Sequence, residues 1–299
     1  MKTIAITGSR GYIATHIINA ILRETDWKVI AFTSSVETME NANPQRVEVV
    51  ENAKMDEAFA RDNEIDYLIH CAFSRRFSTN TQIAESLDFS ERIYQIVKKH
   101  PRCKLINISS VSVYGVNDYL PDETCPPNPN SLYGMAKYGS EVLLHAIFAE
   151  EESRYVNLRL AGIPQSQKMP KQLITSALES RKIDLLLPPA GSGELRFSWI
   201  SVADVVDAIL CLLRRAGDWK HKIYNITPNR ENYLLQEVAA SISRMFAEKG
   251  FGSVEINISE GKPMRIQAGW DSSRFMEEFN WKPQRNLDNM MSECIDIFS

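Results

Sequence analysis

Short apolar runs alternate with stretches of helical periodicity through the first 160 residues. Thr3-Ile4-Ala5-Ile6-Thr7 predicts a strand, and Tyr12 to Leu22 a helix with Ile13, Ile17, Ile18 and Ile21 on one face. Lys28 to Phe32 predicts a second strand, Arg46 to Val50 a short third and Tyr67 to His70 a fourth. A long helix over Ile83 to Lys99 leads to a fifth strand, Lys104 to Ser109. Ser131 to Glu150 reads as helix and Tyr155 to Leu160 as a sixth strand. The runs are apolar throughout, as strands must be when helices cover both faces of a parallel sheet. Strands in alternation with helices imply an α/β fold built on a doubly wound parallel sheet.

After Ala161 the pattern is less regular, punctuated by Pro164, Pro170, Pro188 and Pro189. Ile200 to Leu213 predicts a helix, Ile223 to Ile226 a strand and Glu231 to Lys249 another helix, before a tail containing Asn280-Trp281-Lys282-Pro283. The expected division is a first domain over 1–160, to which 198–227 returns, and a smaller second one from 161–197 and 228–299.

Composition narrows the function. The 299 residues are 44% hydrophobic and 24% charged, as in ordinary globular proteins. A net charge of −4 leaves no global basic field to attract nucleic acid. Five cysteines (71, 103, 125, 211 and 294) form no Cys-x-x-Cys pair, which argues against a disulfide framework or zinc ribbon. His16, His70, His100, His145 and His221 lack ligand spacing, so no metal is expected. Met1 leads straight into an apolar strand, and no apolar run nears a membrane span. The expectation is a cytoplasmic protein without membrane partners.

The first strand ends in Thr7-Gly8-Ser9-Arg10-Gly11-Tyr12-Ile13-Ala14. Glycines let a backbone turn tightly against a pyrophosphate, and the next helix offers free N–H groups and a positive dipole end. Ala14 takes the third small position, where helix and strand pack closely. The expected dinucleotide contacts are Gly8, Ser9, Arg10, Gly11, Tyr12 and Ile13, with Thr33 and Ser34 after the second strand and Ala72 after the fourth. An NAD site usually carries an acid after the second strand, to bind the ribose 2′-hydroxyl. Here the segment is Phe32-Thr33-Ser34-Ser35, and Arg10 is free to meet a 2′-phosphate. Both features favour NADP over NAD.

Tyr133-Gly134-Met135-Ala136-Lys137 sets a phenol and an ammonium on one helix face. The ammonium lowers the phenol's pKa toward the working range, so that Tyr133 can exchange a proton with a substrate hydroxyl or carbonyl while hydride moves. Ser110, at the carboxyl end of the fifth strand, can hydrogen-bond the same oxygen. Ser110, Tyr133 and Lys137 are therefore the expected catalytic residues.

With these motifs in hand the chain resembles the extended short-chain dehydrogenase/reductase family, in its NAD-dependent epimerase/dehydratase group. The similarity runs through Thr7 to Ala14, His70-Cys71-Ala72, Ser109 to Gly115, Tyr133 to Lys137, Leu158-Arg159-Leu160, Arg196 to Asp204, Tyr224-Asn225-Ile226 and Asp271 to Pro283. The resemblance implies a Rossmann-type domain, a smaller C-terminal substrate-binding domain and a nucleotide-activated sugar as substrate. It implies that Lys137 also holds the nicotinamide ribose, that Arg196 meets the substrate diphosphate, and that Lys262 or Arg265 supplies a second cation there. Asp204 reads instead as a helix N-terminal residue. Family members often form homodimers through two long helices, here Ile83 to Lys99 and Tyr133 to Glu150. Leu87, Ile93, Tyr94 and Val97 on the first, and Val142, Leu143, Leu144, Ile147 and Phe148 on the second, supply apolar surface for that contact.

Departures from the family pattern bear on the reaction. Glu51-Asn52-Ala53 stands where an acid often contacts adenine, Ser86 replaces a usual asparagine, and Ala161-Gly162-Ile163-Pro164 is a reduced pocket segment. Sugar 4,6-dehydratases carry an Asp-Glu pair just after the catalytic hydroxyl residue; here Val111 and Ser112 supply no base for elimination. The favoured reading is a 4-keto-sugar reductase, with a nucleotide-sugar 4-epimerase as the alternative. A redox-sensing regulatory protein of the same fold is a third possibility, but such proteins commonly lose the tyrosine or lysine that this chain retains.

Overall fold

The computed structural model describes residues 1–36, 45–61, 64–74, 80–116, 119–192, 194–215, 217–229, 232–262 and 269–299. Its first elements are β1 (Thr3–Thr7), α1 (Tyr12–Glu24), β2 (Lys28–Thr33), β3 (Val47–Glu51), α2 (Met55–Arg61), β4 (Ile65–His70), α3 (Asn80–Lys98), β5 (Lys104–Ser110), α4 (Leu132–Ile147) and β6 (Tyr155–Leu160). They are followed by α5 (Lys168–Ser180), β7 (Lys182–Leu187), β8 (Arg196–Phe197), α6 (Val202–Arg214), β9 (Ile223–Ile226), β10 (Tyr233–Leu234), α7 (Leu235–Glu248), β11 (Glu255–Glu260), α8 (Ser273–Phe279) and α9 (Leu287–Phe298).

Seven strands form one sheet in the order β3-β2-β1-β4-β5-β6-β9. β1 pairs in parallel with both β2 and β4, β2 with β3, β4 with β5, and β5 with β6. The doubly wound Rossmann-type sheet expected from the alternating pattern is therefore present. Strand order reverses between β1 and β4, where register sets Thr7 beside His70. Carboxyl ends of strands at such a point open a crevice for ligands.

Arginines close two helix ends whose last carbonyls lack partners within the helix. Arg46 donates to the carbonyls of Leu22 at 2.9 Å and Thr25 at 2.7 Å beyond α1. Arg154 donates to Val97 at 2.6 Å, His100 at 2.7 Å and Cys103 at 3.1 Å beyond α3.

The chain divides into two compact units. Unit 1 comprises Met1–Gly115, Pro126–Leu160 and Val206–Tyr224; unit 2 comprises Val116–Cys125, Ala161–Val205 and Asn225–Ser299. The core of unit 1 includes Phe32, Leu68, Ile93, Tyr94, Val97, Leu105, Leu144 and Phe148. In unit 2, β7 and β11 pair in parallel and β8 and β10 antiparallel. Its core gathers Ile174, Ile183, Trp199, Val238, Ile242, Met290 and Ile295 from α5, β7, α7, α9 and the segment after β8.

These limits depart from the sequence expectation at three places, for reasons visible in the hydrogen bonds. Residues 116–125 belong to unit 2, because Asp271 N–H donates to Pro121 O and Asn225 N–H to the Glu123 carboxylate. Residues 198–205 do as well: Ile200 N–H donates to Gly162 O, and buried Asp204 accepts from Gln284 N–H, Arg285 N–H and the Arg285 guanidinium. Residues 225–227 follow, through Ile226 O to Ala161 N–H and Thr227 Oγ1 to Trp270 O. Asp204 does lie in the first turn of α6, yet its carboxylate clamps the chain before α9 rather than serving its own helix.

A further correction concerns the apolar residues assigned to a dimer surface. Ile93, Tyr94, Val97, Leu144 and Phe148 are fully buried within unit 1, and Leu143 and Ile147 pack partly against the same core. On α4 the exposed apolar side chains are Leu132, Met135 and Val142. Among the described residues no helix is long and apolar enough to cross a membrane.

Candidate active site

β1 ends at Thr7 and the chain turns at Gly8, whose φ is +64. A Cβ at Gly8 would stand 2.8 Å from Ala72 Cα and 2.9 Å from Ala72 N, so both dihedral and space demand glycine. Gly11 N–H donates to Gly8 O at 2.7 Å, and Gly11 is the N-cap of α1. Thr7 Oγ1 lies 2.8 Å from His70 Nδ1 and accepts the Ala72 N–H at 3.3 Å, which ties the glycine turn to the end of β4. His70 Nε2 lies 3.0 Å from Ser90 Oγ on α3. Burial pushes the His70 pKa down to about 3, and the Lys137 charge acts in the same direction, so the ring is neutral.

A cleft of about 360 Å³ opens at this turn. Of the expected dinucleotide contacts, Gly8, Arg10, Gly11, Thr33, Ser34 and Ala72 line it. Ser9 is buried, its N–H donating to Phe32 O at 3.2 Å; Tyr12 packs its ring on His16 at 4.4 Å, and Ile13 is half-buried, and these three do not line the cleft. Among the described residues lining it there is no carboxylate. Asn52, Cys71 and Phe73 line it too, beyond the contacts expected from the motifs. Burial raises the Cys71 thiol to about 12, against the pull of Lys137. Asn52 Oδ1 is buried and has no hydrogen-bond partner among the described residues, which leaves an acceptor open on a residue that lines this cleft. Asn52 stands in the segment singled out as the adenine position, and that was its signal. The Cβ-free turn, the amino end of a 13-residue helix and this orphaned acceptor together fit a dinucleotide.

Ser110 closes β5 and caps a 3-10 turn over Val111–Tyr114. Its Oγ accepts from Ser112 N–H at 3.2 Å and donates to Ser112 Oγ at 3.1 Å. α4 starts with Ser131 as N-cap, accepting from Gly134 N–H at 3.1 Å. Gly134 lies so close to this turn that a Cβ there would collide with the Ser112 carbonyl oxygen. Close packing thus holds the turn after Ser110 against the first turn of α4, which bears Tyr133. Lys137, one turn further, is buried; its Nζ donates to Ile108 O at 2.7 Å and lies 6.0 Å from the Tyr133 ring centroid and 3.9 Å from that of Phe73. The structure brings Ser110, Tyr133 and Lys137 together at the carboxyl end of β5.

Behind them lies a buried network that sequence reasoning missed. Glu141, again one turn along α4, pairs with Arg159 of β6 at 2.6 Å and accepts the Ser109 hydroxyl at 2.5 Å. The Arg159 guanidinium stacks over the Tyr114 ring at 4.8 Å. The i, i+4, i+8 series of Tyr133, Lys137 and Glu141 was the available signal. Ser86 braces the loop after β4, donating to Gln82 O at 2.9 Å and accepting Ser74 N–H at 3.4 Å.

Unit 2 has its own cleft, of about 660 Å³, with Arg196, Tyr233, Glu237 and Arg244 in its lining. Arg196 pairs with Glu194 at 2.5 Å and Arg244 with Asp288 at 2.6 Å. Lys262 is exposed and does not line this cleft, so the cation sharing it with Arg196 is Arg244. Arg265 lies outside the described residues.

Known proteins bear on this geometry. A family model described as the NAD dependent epimerase/dehydratase family matches residues 4–227. A trifunctional UDP-glucose 4,6-dehydratase/UDP-4-keto-6-deoxy-D-glucose 3,5-epimerase/UDP-4-keto-L-rhamnose-reductase of Arabidopsis thaliana is 22% identical; the match covers 100% of this chain and 47% of the relative. The chain thus spans about half the length of that relative. A Methanocaldococcus jannaschii protein with the provisional name UDP-glucose 4-epimerase is 26% identical over 98% of this chain and 97% of its own length. The fold is shared with the UDP-glucose 4-epimerase of Bifidobacterium longum, solved with NAD+ and UDP, at a TM-score of 0.77 and 22% identity over 99% of this chain and 98% of that one.

Proposed function

The chain belongs to the NAD dependent epimerase/dehydratase family, whose members are enzymes of the extended short-chain dehydrogenase type, and from that premise we propose that it reduces a 4-keto sugar carried on a nucleotide, with NADP as the favoured dinucleotide and NAD as the other. The observation that carries this reading is the meeting of Ser110, Tyr133 and Lys137 beside a cleft lined by Arg10, Thr33 and Ser34 and by no described carboxylate. A 2′-phosphate suits a guanidinium and hydroxyls; a 2′-hydroxyl site would want an acid.

In this reading a bound nicotinamide supplies the hydride. Tyr133 gives its phenolic proton to the carbonyl oxygen as that oxygen gains charge. Lys137, fixed by Ile108 O, keeps the phenol acidic by its positive charge and holds the nicotinamide ribose. Ser110 hydrogen-bonds the substrate oxygen through its hydroxyl, which a rotation away from Ser112 releases. Gly8 and Gly11 bring backbone to the pyrophosphate. Arg196 meets the substrate diphosphate, with Arg244 as the second cation in its cleft in place of the expected Lys262. A 4-epimerase is the second reading, favoured by the names of the archaeal relative and the Bifidobacterium longum structure. Elimination is disfavoured, since Val111 is an apolar buried residue and Ser112 is a hydroxyl engaged with Ser110.

The test is assay of the whole chain with a nucleotide 4-keto-sugar and NADPH. Stoichiometric loss of NADPH absorbance with reduction of the sugar is the expected result. Interconversion of UDP-glucose and its 4-epimer without added cofactor, with NAD released on denaturation, would replace this reading by the epimerase. We further propose a cytoplasmic homodimer joined through α3 and α4, with Leu132, Met135 and Val142 at its contact. Light scattering that gives the mass of one 34.0 kDa chain excludes it.

A further inference from the structure

Phe73 is out of character with the rest of the dinucleotide cleft. Its neighbours in that wall, Gly8, Gly11, Cys71 and Ala72, are small, whereas Phe73 carries a large apolar ring. That ring has its centroid 3.9 Å from Lys137 Nζ. An ammonium this close to an aromatic face is held by the ring quadrupole, and more firmly when it is withdrawn from water, as buried Lys137 is. The ring and the Ile108 carbonyl, 2.7 Å from Nζ, thus both engage the ammonium. A ribose hydroxyl bound to Lys137 would have to share the ammonium with this ring.

We propose that Phe73 sets how tightly the dinucleotide site binds: it is an aromatic plug over Lys137 that an arriving dinucleotide must turn aside. The backbone around it is anchored on both sides, by Ala72 N–H to Thr7 Oγ1 at 3.3 Å and Ser74 N–H to Ser86 Oγ at 3.4 Å. Displacement is therefore a rotation of one half-buried side chain, with no strand to unpair. A site whose competent form is only a fraction of the population binds more weakly by that fraction. The plug makes the dinucleotide a co-substrate that leaves after each turnover, as the reductase needs and a cofactor-retaining epimerase does not. This inference rests on the reading of Lys137 as a dinucleotide contact.

Calorimetric titration of the whole protein with NADP+ and with NAD+ tests both. Phe73→Ala is expected to tighten each dinucleotide about thirty-fold, the scale of a desolvated cation–π contact. Phe73→Leu, which keeps apolar bulk without a π face, should move the same way and stands in if the alanine variant does not fold. In a Lys137→Met background the Phe73→Ala gain should vanish. Unchanged or weaker binding by both Phe73 variants overturns the plug, as does an equal gain with methionine at position 137. The Lys137 reading is tested separately: Lys137→Met made on Phe73→Ala should weaken binding, and no weakening there removes Lys137 from the dinucleotide site.

Discussion

Two sets of charged groups, one in each unit, are handled in opposite ways. Those beside and behind Tyr133 in unit 1 are buried: Lys137 is 4% exposed, and the Arg159 and Glu141 side chains are 2% and 5% exposed, with bonds to Ile108 O, Ser109 and each other. In unit 2 the cleft cations lie at the surface, Arg196 at 33% and Arg244 at 54%, paired with the exposed acids Glu194 and Asp288. Burying an ion pair costs more desolvation than its attraction commonly returns. Such a pair is kept where geometry matters more than stability, and this one ties α4 to β5 and β6 around Ser110 and Tyr133. Exposed pairs contribute ~0–1 kcal/mol and exchange partners readily, as a cation must when an anionic ligand arrives. The buried pair is held in one geometry, and the exposed pairs are free to exchange partners.

The largest effect expected from this contrast is on rate. Tyr133→Phe keeps the ring and removes the proton, so turnover should fall by roughly 10²- to 10⁴-fold with substrate binding retained. Wild-type turnover on an identified substrate would take Tyr133 out of the reaction. Next comes stability. Glu141→Leu strands the Arg159 charge in the interior and should cost about 3–5 kcal/mol in urea unfolding. Glu141→Leu with Arg159→Met should recover much of that loss, because an apolar pair of similar volume needs no counter-charge. A single substitution costing under about 1 kcal/mol would mean that the network is wetter than its burial indicates.

Arg10 tests the exposed cation among the described residues of the unit 1 cleft. Arg10→Ala should weaken NADP by about 1.5–3 kcal/mol while leaving NAD nearly unchanged, as only NADP carries the extra phosphate. Equal losses for both dinucleotides in calorimetry would return Arg10 to the solvent. His70 supplies a pH test. Its folded pKa of about 3 lies below the ordinary 6.5 because of burial first and Lys137 second. The unfolded chain binds the proton more readily, so the stability tied to neutral His70 is complete above pH 6.5 and is lost as pH falls toward 3. The slope from this group is at most ~1.4 kcal/mol per pH unit. His70→Gln should flatten the acid limb of a urea-midpoint profile, and an unaltered limb speaks against a buried neutral ring.

The smallest effect belongs to unit 2. Arg196→Ala should change folding stability by less than about 0.5 kcal/mol, since only an exposed pair is lost. The same substitution should raise KM for a nucleotide sugar. A stability loss above about 1 kcal/mol would erase the contrast between the units.

The sequence by itself determined what depends on near neighbours along the chain. The order of the first six strands and of α1, α3 and α4 was legible because parallel strands are apolar throughout and α1 has one apolar face, whereas α2 was not foreseen. The glycine turn was legible because backbone sterics at Gly8 are local. Tyr133 and Lys137 were legible as a pair because i and i+4 share a helix face. Tertiary structure alone decided what depends on residues far apart in the chain. Glu141 meets Arg159 only because α4 lies over β5 and β6, and Phe73 reaches Lys137 only across the ends of β4 and β5. Arg154, read as nothing in the sequence, closes the end of α3. The apolar surplus assigned to α3 and α4 proved to be mostly core, since hydrophobicity says that a residue seeks burial and only packing says against which surface. Asp204 stands at the helix N-terminus as its sequence position implied, but its bonds to Gln284 and Arg285 were not legible, because a buried carboxylate takes whichever donors the fold delivers to it.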